Sequence, residues 1–180
     1  FQRLGLANFR DLLIAIAQDP AMLVFLDAGV NTKDAPNENF AREIMELFTM
    51  GVGEYGEEDV REAARAFTGW SVRGLEFYVD SDTHDAGEKS FLGERGDFDG
   101  IEIIDRILAR PQTSRFIATK LYRYFGRDEL VPAAEAQLGA RLRAHNYDIG
   151  AYLQELLVSR DFYASAGEHI KSPVELVIST

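Results

Sequence analysis

Cysteine is absent from this 180-residue chain, which excludes a disulfide-stapled scaffold. Long hydrophobic runs are absent as well. No wholly apolar stretch is longer than Leu12 to Ala17, far short of the ~20 residues that cross a bilayer as a helix. Positive charge is scarce: 19 Lys and Arg stand against 30 Asp and Glu, a net of -11. A binder of the nucleic-acid backbone needs the opposite excess, so nucleic acid is excluded as the main partner. There is no initiator Met at Phe1 and no charged-then-apolar leader, so the chain is expected to be an internal fragment of a longer protein. No repeat of fixed period and no low-complexity linker divides it, and residues 1–180 are expected to form one helical domain. With 46% apolar residues, a chain of this length can bury a sizeable core, roughly 68–70% of its unfolded surface at about 150 residues.

What is present is helical periodicity with clear punctuation. Asn8 reads as the cap of a helix to about Gln18, with Phe9, Leu12, Leu13 and Ile16 on one stripe. Asp19-Pro20 restarts a helix to about Ala28. Asn37 opens NENFAREIMELFTM, which Gly51 ends. EEDVREAARAFTGW follows, with acids in its first turn and Gly69 as its stop. Residues 75–79 and 90–92 read as short strands around a polar loop. Helices then resume near 99–109, 111–125, 132–144, 149–159 and from Ser172. The expected fold is mostly α, an irregular multi-helix bundle with one small β-hairpin insertion around 75–92.

The charge is unevenly placed. Asp34–Glu62 carries a net of -7 and Glu76–Asp105 a net of -8, whereas Arg106 to Arg127 holds six cations and no acid. Either the basic helix pairs with the acidic segments, or its stripe of Lys120, Arg123 and Arg127 offers an anion or phosphate site.

Within the third helix, Asn39, Arg42, Glu43 and Glu46 fall at i, i+3, i+4 and i+7, making one face polar. Carboxylates at i and i+3 can share a metal or a proton, with a nearby Arg holding one ionised. The same spacing also describes an ordinary solvated face with an Arg–Glu pair. No E-x-x-H partner marks a di-iron bundle. In the loop DSDTHDAGEK, Asp80, Asp82, His84, Asp85 and Glu88 cluster. Oxygen ligands there suit a divalent cation such as Ca²⁺ or Mg²⁺, and His84 with Asp85 suits Zn²⁺. The alternative is a solvated acidic loop. If a site exists, His84 is base or ligand, Asp85 its orienter and Lys89 an anion clamp. The EF-hand, H-E-x-x-H, G-x-S-x-G and P-loop patterns are all missing. Trp70 fits either a cleft wall or the core, and His145 and His169 read as helix-end or loop histidines.

The segment PNENFAREIMELFTMGVGEYGEEDVREAARAFTGW, the loop HDAGEKSFLG, the helix RPQTSRFIATKLYRYF and the closing KSPVELV resemble the bacterial domain-of-unknown-function 1800 family. The family pattern matches Asn37, Glu38, Asn39, Arg42, Glu43 and Glu46, then Arg65, Thr68, Gly69 and Trp70, then His84, Asp85, Lys89 and Gly93. The resemblance implies missing helical parts upstream and downstream in a parent chain, and export to the periplasm, cell surface or medium. It also implies a neighbouring gene for a sulfatase- or phosphatase-like exported protein. It carries no established activity.

Three functional expectations follow. The first is a non-catalytic or accessory module of an exported envelope or extracellular protein. The second is a hydrolase-like enzyme in which Glu43, Glu46, His84 and Asp85 act together, directly or around a divalent cation, with Asn37, Asn39, Arg42, Arg65, Trp70 and Lys89 binding the substrate. The third is a purely structural domain whose polar motif locks helices together.

Overall fold

Local signals account for most helix starts. A computed structural model of the protein describes residues 3–168 and 173–178. Helix α1 (Phe9–Ala17) is capped by the Asn8 side chain, which accepts from the Arg10 amide at 2.9 Å. Helix α2 (Pro20–Phe25) begins with Pro after an Asp19 cap that accepts from the Ala21 amide at 2.9 Å. It stops before Ala28, because Asp27 takes a left-handed conformation (φ 56°) and leads into a 3-10 turn at Ala28–Val30.

Helix α3 (Asn39–Glu46) is shorter at its end than periodicity predicts. The Thr49 hydroxyl donates to the Ile44 carbonyl at 2.6 Å, and the Met50 amide reaches back to the Met45 carbonyl. These bonds satisfy the last carbonyls in a widened turn. Gly51 follows with φ 84°, and α4 (Glu57–Ala66) starts after the turn.

The β insertion consists of two hairpins rather than one. Strand β1 (Trp70–Arg73) pairs antiparallel with β2 (Glu76–Val79), and β3 (Lys89–Phe91) pairs with β4 (Glu94–Gly96). The runs near 75–79 and 90–92 are strands as expected, but each pairs with a close sequence neighbour. The reason is turn chemistry: Leu92 and Gly93 both have positive φ (50° and 84°), the two-residue loop that matches strand twist. Gly74 (φ 66°) closes the other hairpin.

Helix α5 (Gly100–Ala109) opens with a reciprocal cap between Asp99 and Glu102, and α6 (Pro111–Phe125) and α7 (Pro132–Ala144) each open with Pro. Helix α8 (Ile149–Leu157) is capped by Asp148, α9 (Arg160–Ala164) by Ser159, and α10 covers Pro173–Ile178. Periodicity predicts one helix to Ser159; α8 ends at Leu157 instead, and Ser159 caps the separate α9. Ser172, the expected start of the last helix, and His169 lie outside the described residues.

Packing runs along the chain, α3 on α4, α4 on β3 and α5, α5 on α6, α6 on α7, and α7 on α8. The core joins Phe40, Phe67, Trp70 and Phe77, whose rings meet edge-on at about 5 Å, to Ile103, Ile104 and Ile107 of α5. A Cβ on Gly100 would lie 2.5 Å from Trp70 and 2.6 Å from Phe67, so only glycine admits that ring stack. The segment before α1 also meets the turn between α7 and α8. The Phe9 amide donates to the Tyr147 carbonyl at 2.9 Å, and the Ile149 and Gly150 amides donate to Ala7 and Leu6. Among the described residues no helix is long and apolar enough to cross a membrane.

Candidate functional site

The polar motif resolves into two separate networks on opposite ends of α4. At its start, Arg42 of α3 donates to both oxygens of Glu57, at 3.0 and 2.7 Å, and to Glu38 at 2.9 Å. Arg42 therefore crosses to the next helix instead of holding Glu43 or Glu46. The pairing raises its pKa, chiefly through the hydrogen bond to Glu57. Glu46 accepts a 3.3 Å bond from the Tyr55 hydroxyl, whose pKa is pushed up to about 12, first by burial. The Glu43 carboxylate makes no hydrogen bond or ion pair among the described residues and is half-buried.

At the other end, Arg65 is the centre. It donates to Asp85 at 2.7 Å, to both Glu62 oxygens at 2.9 Å and to the Glu88 carbonyl at 3.2 Å. That bond to Arg65 holds the Asp85 carboxyl below its ordinary range, helped by the Gly87 amide. Lys89 is 1% exposed and donates to the carbonyls of Asp85 at 2.6 Å and Gly87 at 3.0 Å. Burial lowers its pKa. Lys89 is thus a buried organiser of the loop, and the expected anion clamp is not its geometry.

His84 is oriented by Thr68, not by Asp85. Its Nδ1 lies 2.8 Å from the Thr68 carbonyl, which can only accept, so Nδ1 carries the proton and Nε2 is the open nitrogen. Asp85 points to Arg65 instead, while its amide donates to the Thr68 hydroxyl at 2.8 Å. No hydrogen bond links Glu43 or Glu46 to His84 or Asp85. Among the described residues no group of three or more His, Asp or Glu is gathered where it could hold a metal ion. With Asp85 committed to Arg65, His84 and Asp85 by themselves offer a cation too few ligands.

Asn37 and Asn39 serve the backbone. The Asn37 side chain accepts from the Asn39 amide at 2.9 Å, and Asn39 donates to the Leu26 carbonyl at 3.2 Å. Trp70 is 3% exposed within the aromatic stack, so it belongs to the core rather than a cleft wall.

Sequence reasoning missed three residues that matter here. Asn31, 2% exposed, donates to the Ala64 carbonyl and accepts from the Asn37 amide, joining the start of α3 to the end of α4. Asp59 and Glu62 accept from the Leu92 and Ser90 amides at 2.7 and 2.8 Å. Two carboxylates one helical turn apart thereby cap alternate amides of the β3 edge. The Asp-x-x-Glu spacing was visible, but nothing local pairs it with a strand 30 residues away.

The basic stretch is largely matched by acids and carbonyls. Arg115 pairs with Glu54 at 2.8 Å, Arg106 with Glu94 at 3.3 Å, Arg123 with Glu135 at 3.1 Å and Arg127 with Asp161 at 2.6 Å. Some partners come from the acidic segments and others from downstream helices.

Against known proteins, no curated protein and no solved structure matches this chain. The model of one family, described as a protein of unknown function (DUF1800), matches residues 1–180, and the chain belongs to that family.

Proposed function

We propose that this chain is a non-catalytic, accessory helical module whose polar motif is structural: it locks α3 to α4 and straps the 80–98 hairpin region onto α4. The observation that carries this reading is the internal satisfaction of the Arg65 network. Its guanidinium, both its carboxylate partners and the Lys89 ammonium all bond within the protein. A group that must meet a substrate keeps donors or acceptors free, whereas these are spent on one another. Placement in an exported envelope or extracellular protein, beside further helical parts of the parent chain and a sulfatase- or phosphatase-like partner, is part of the same proposal and is supported by family resemblance.

The test is a turnover screen with chromogenic phosphate, sulfate, glycosyl and acyl esters, run on the unsubstituted 180-residue chain and on its Glu43→Gln variant. No turnover above buffer is expected from either. Turnover by the unsubstituted chain that Glu43→Gln abolishes would replace this reading with a hydrolase.

A further inference from the structure

The six cations between Arg106 and Arg127 sort into two sets. Arg106 lies over the Phe98 ring, 3.5 Å from its centre, Arg110 donates to the Leu92 carbonyl, and Arg127 pairs with Asp161. Those three tie elements together. Arg115, Lys120 and Arg123 instead border one open recess of about 300 Å³, lined by α6, the Met50–Glu54 turn and Glu135 near the start of α7. At i, i+5 and i+8, they project from one side of α6.

Their commitments at the recess are partial. Arg115 gives one donor to Glu54. Arg123 gives two, to the Asp128 carbonyl and Glu135. Lys120 gives one to the Leu47 carbonyl at 2.9 Å and sits 4.4 Å from the centre of the Phe116 ring, which fixes the ammonium at the recess. A guanidinium has five donors and an ammonium three, so most remain open. Glu54 and Glu135 stand on the same lining and leave it one net positive charge, within a chain of -11.

Behind the recess lining lies an unmatched polar group. Thr119 lines it, is 6% exposed, and its hydroxyl has no hydrogen-bond partner among the described residues. A hidden hydroxyl without a partner is costly.

We infer that this recess binds a tetrahedral oxyanion, a phosphate or sulfate group, held by Lys120 and the open edges of Arg115 and Arg123. The volume takes a phosphate or sulfate group with room to spare, so the donors and not the size define the ligand. Several donors arriving from separate side chains match an anion with oxygens on several sides better than a flat carboxylate. The site lies on α6 and shares no residue with the Arg65 network, so its failure leaves the accessory reading standing.

The test is an amide-resolved NMR titration of the chain with inorganic phosphate, inorganic sulfate and acetate, each against chloride at equal ionic strength. Phosphate or sulfate is expected to shift the amides of Gly51, Gly53 and residues 115–123 saturably, and the tighter of the two names the anion. Lys120→Gln and Arg123→Gln should each weaken binding by about tenfold, the effect of one charged hydrogen bond. Arg127→Gln, outside the recess, should titrate like the parent. Melting curves establish that the variants are folded. The proposal is overturned if no saturable shift appears in the parent, if acetate matches the tetrahedral anions, or if both recess variants bind as the parent does.

Discussion

Arg42 and Arg65 carry the same charge and both bind two carboxylates, yet their surroundings set different weights. Arg65 is 28% exposed at its side chain and its partners Asp85 and Glu62 are 20% and 12% exposed. Arg42 is 34% exposed and its main partner Glu57 74%. Screening by water makes exposed pairs weak, while a part-buried pair left half-empty strands a charge. Arg65→Ala is therefore expected to cost about 2 kcal/mol, lowering the melting temperature by roughly 4–8 °C. Arg42→Ala should shift it by at most about half as much. Equal shifts would show that burial does not decide between them.

The Asp85 carboxyl supplies a pH dependence at the same scale. Its folded pKa is depressed below 3.8 by Arg65, so the stability it contributes is present above that value and is lost as pH falls through the folded pKa. Asp161 is shifted in the same direction by Tyr122 and Arg127. Thermal melts between pH 6 and 2 should fall on the acid side, and Asp85→Asn should flatten part of that fall. A parallel acid limb in the variant would remove Asp85 from the account.

At the scale of elements, the decisive contact is α6 against α7. A Cβ on Gly139 would lie 2.7 Å from the backbone of Arg115. Gly139→Ala gains about 1 kcal/mol of helix propensity and meets an overpacking cost of about 1–3 kcal/mol, because a helix backbone cannot step aside as a flexible side chain can. The expected result is a melting temperature lower by a few degrees; a rise would mean that the helices separate freely. Helix starts were legible because Asn8, Asp19, Asp99 and Asp148 act within their own turn. The end of α3 was not, since Thr49 competes for its carbonyls only once the turn has closed. The two hairpins were read as one because the signals at Gly74 and Leu92-Gly93 are short and compete with a longer pairing of the same strands.

Across the whole molecule, the chain closes on itself through Asn8, Phe9 and Arg10. The Asn8 side chain donates to the Asn146 carbonyl at 2.7 Å, and Arg10 grips Asp105 at 2.5 and 2.9 Å. The Tyr147 hydroxyl donates to the Leu108 carbonyl at 2.7 Å, linking the α7–α8 turn to α5. Such ties between distant segments favour cooperative unfolding. Trp70 fluorescence, which reports the first half, and far-ultraviolet dichroism, which reports all helices, should share one midpoint. Two midpoints would divide the chain into independent units.

The amino-acid sequence by itself determined the helical class, several of the cap positions, the lack of an apolar run long enough to span a membrane, and the family. Each rests on residues within a turn or two of one another, or on a pattern running the length of the chain. Only the tertiary structure decided which charges meet. Arg42 chose Glu57, Arg65 chose Asp85, His84 turned to a carbonyl, and three of six cations on one stretch gathered around a recess. Spacing along a helix specifies which side chains share a face. It does not specify the neighbour across from that face, and an ionic partner is chosen by that neighbour.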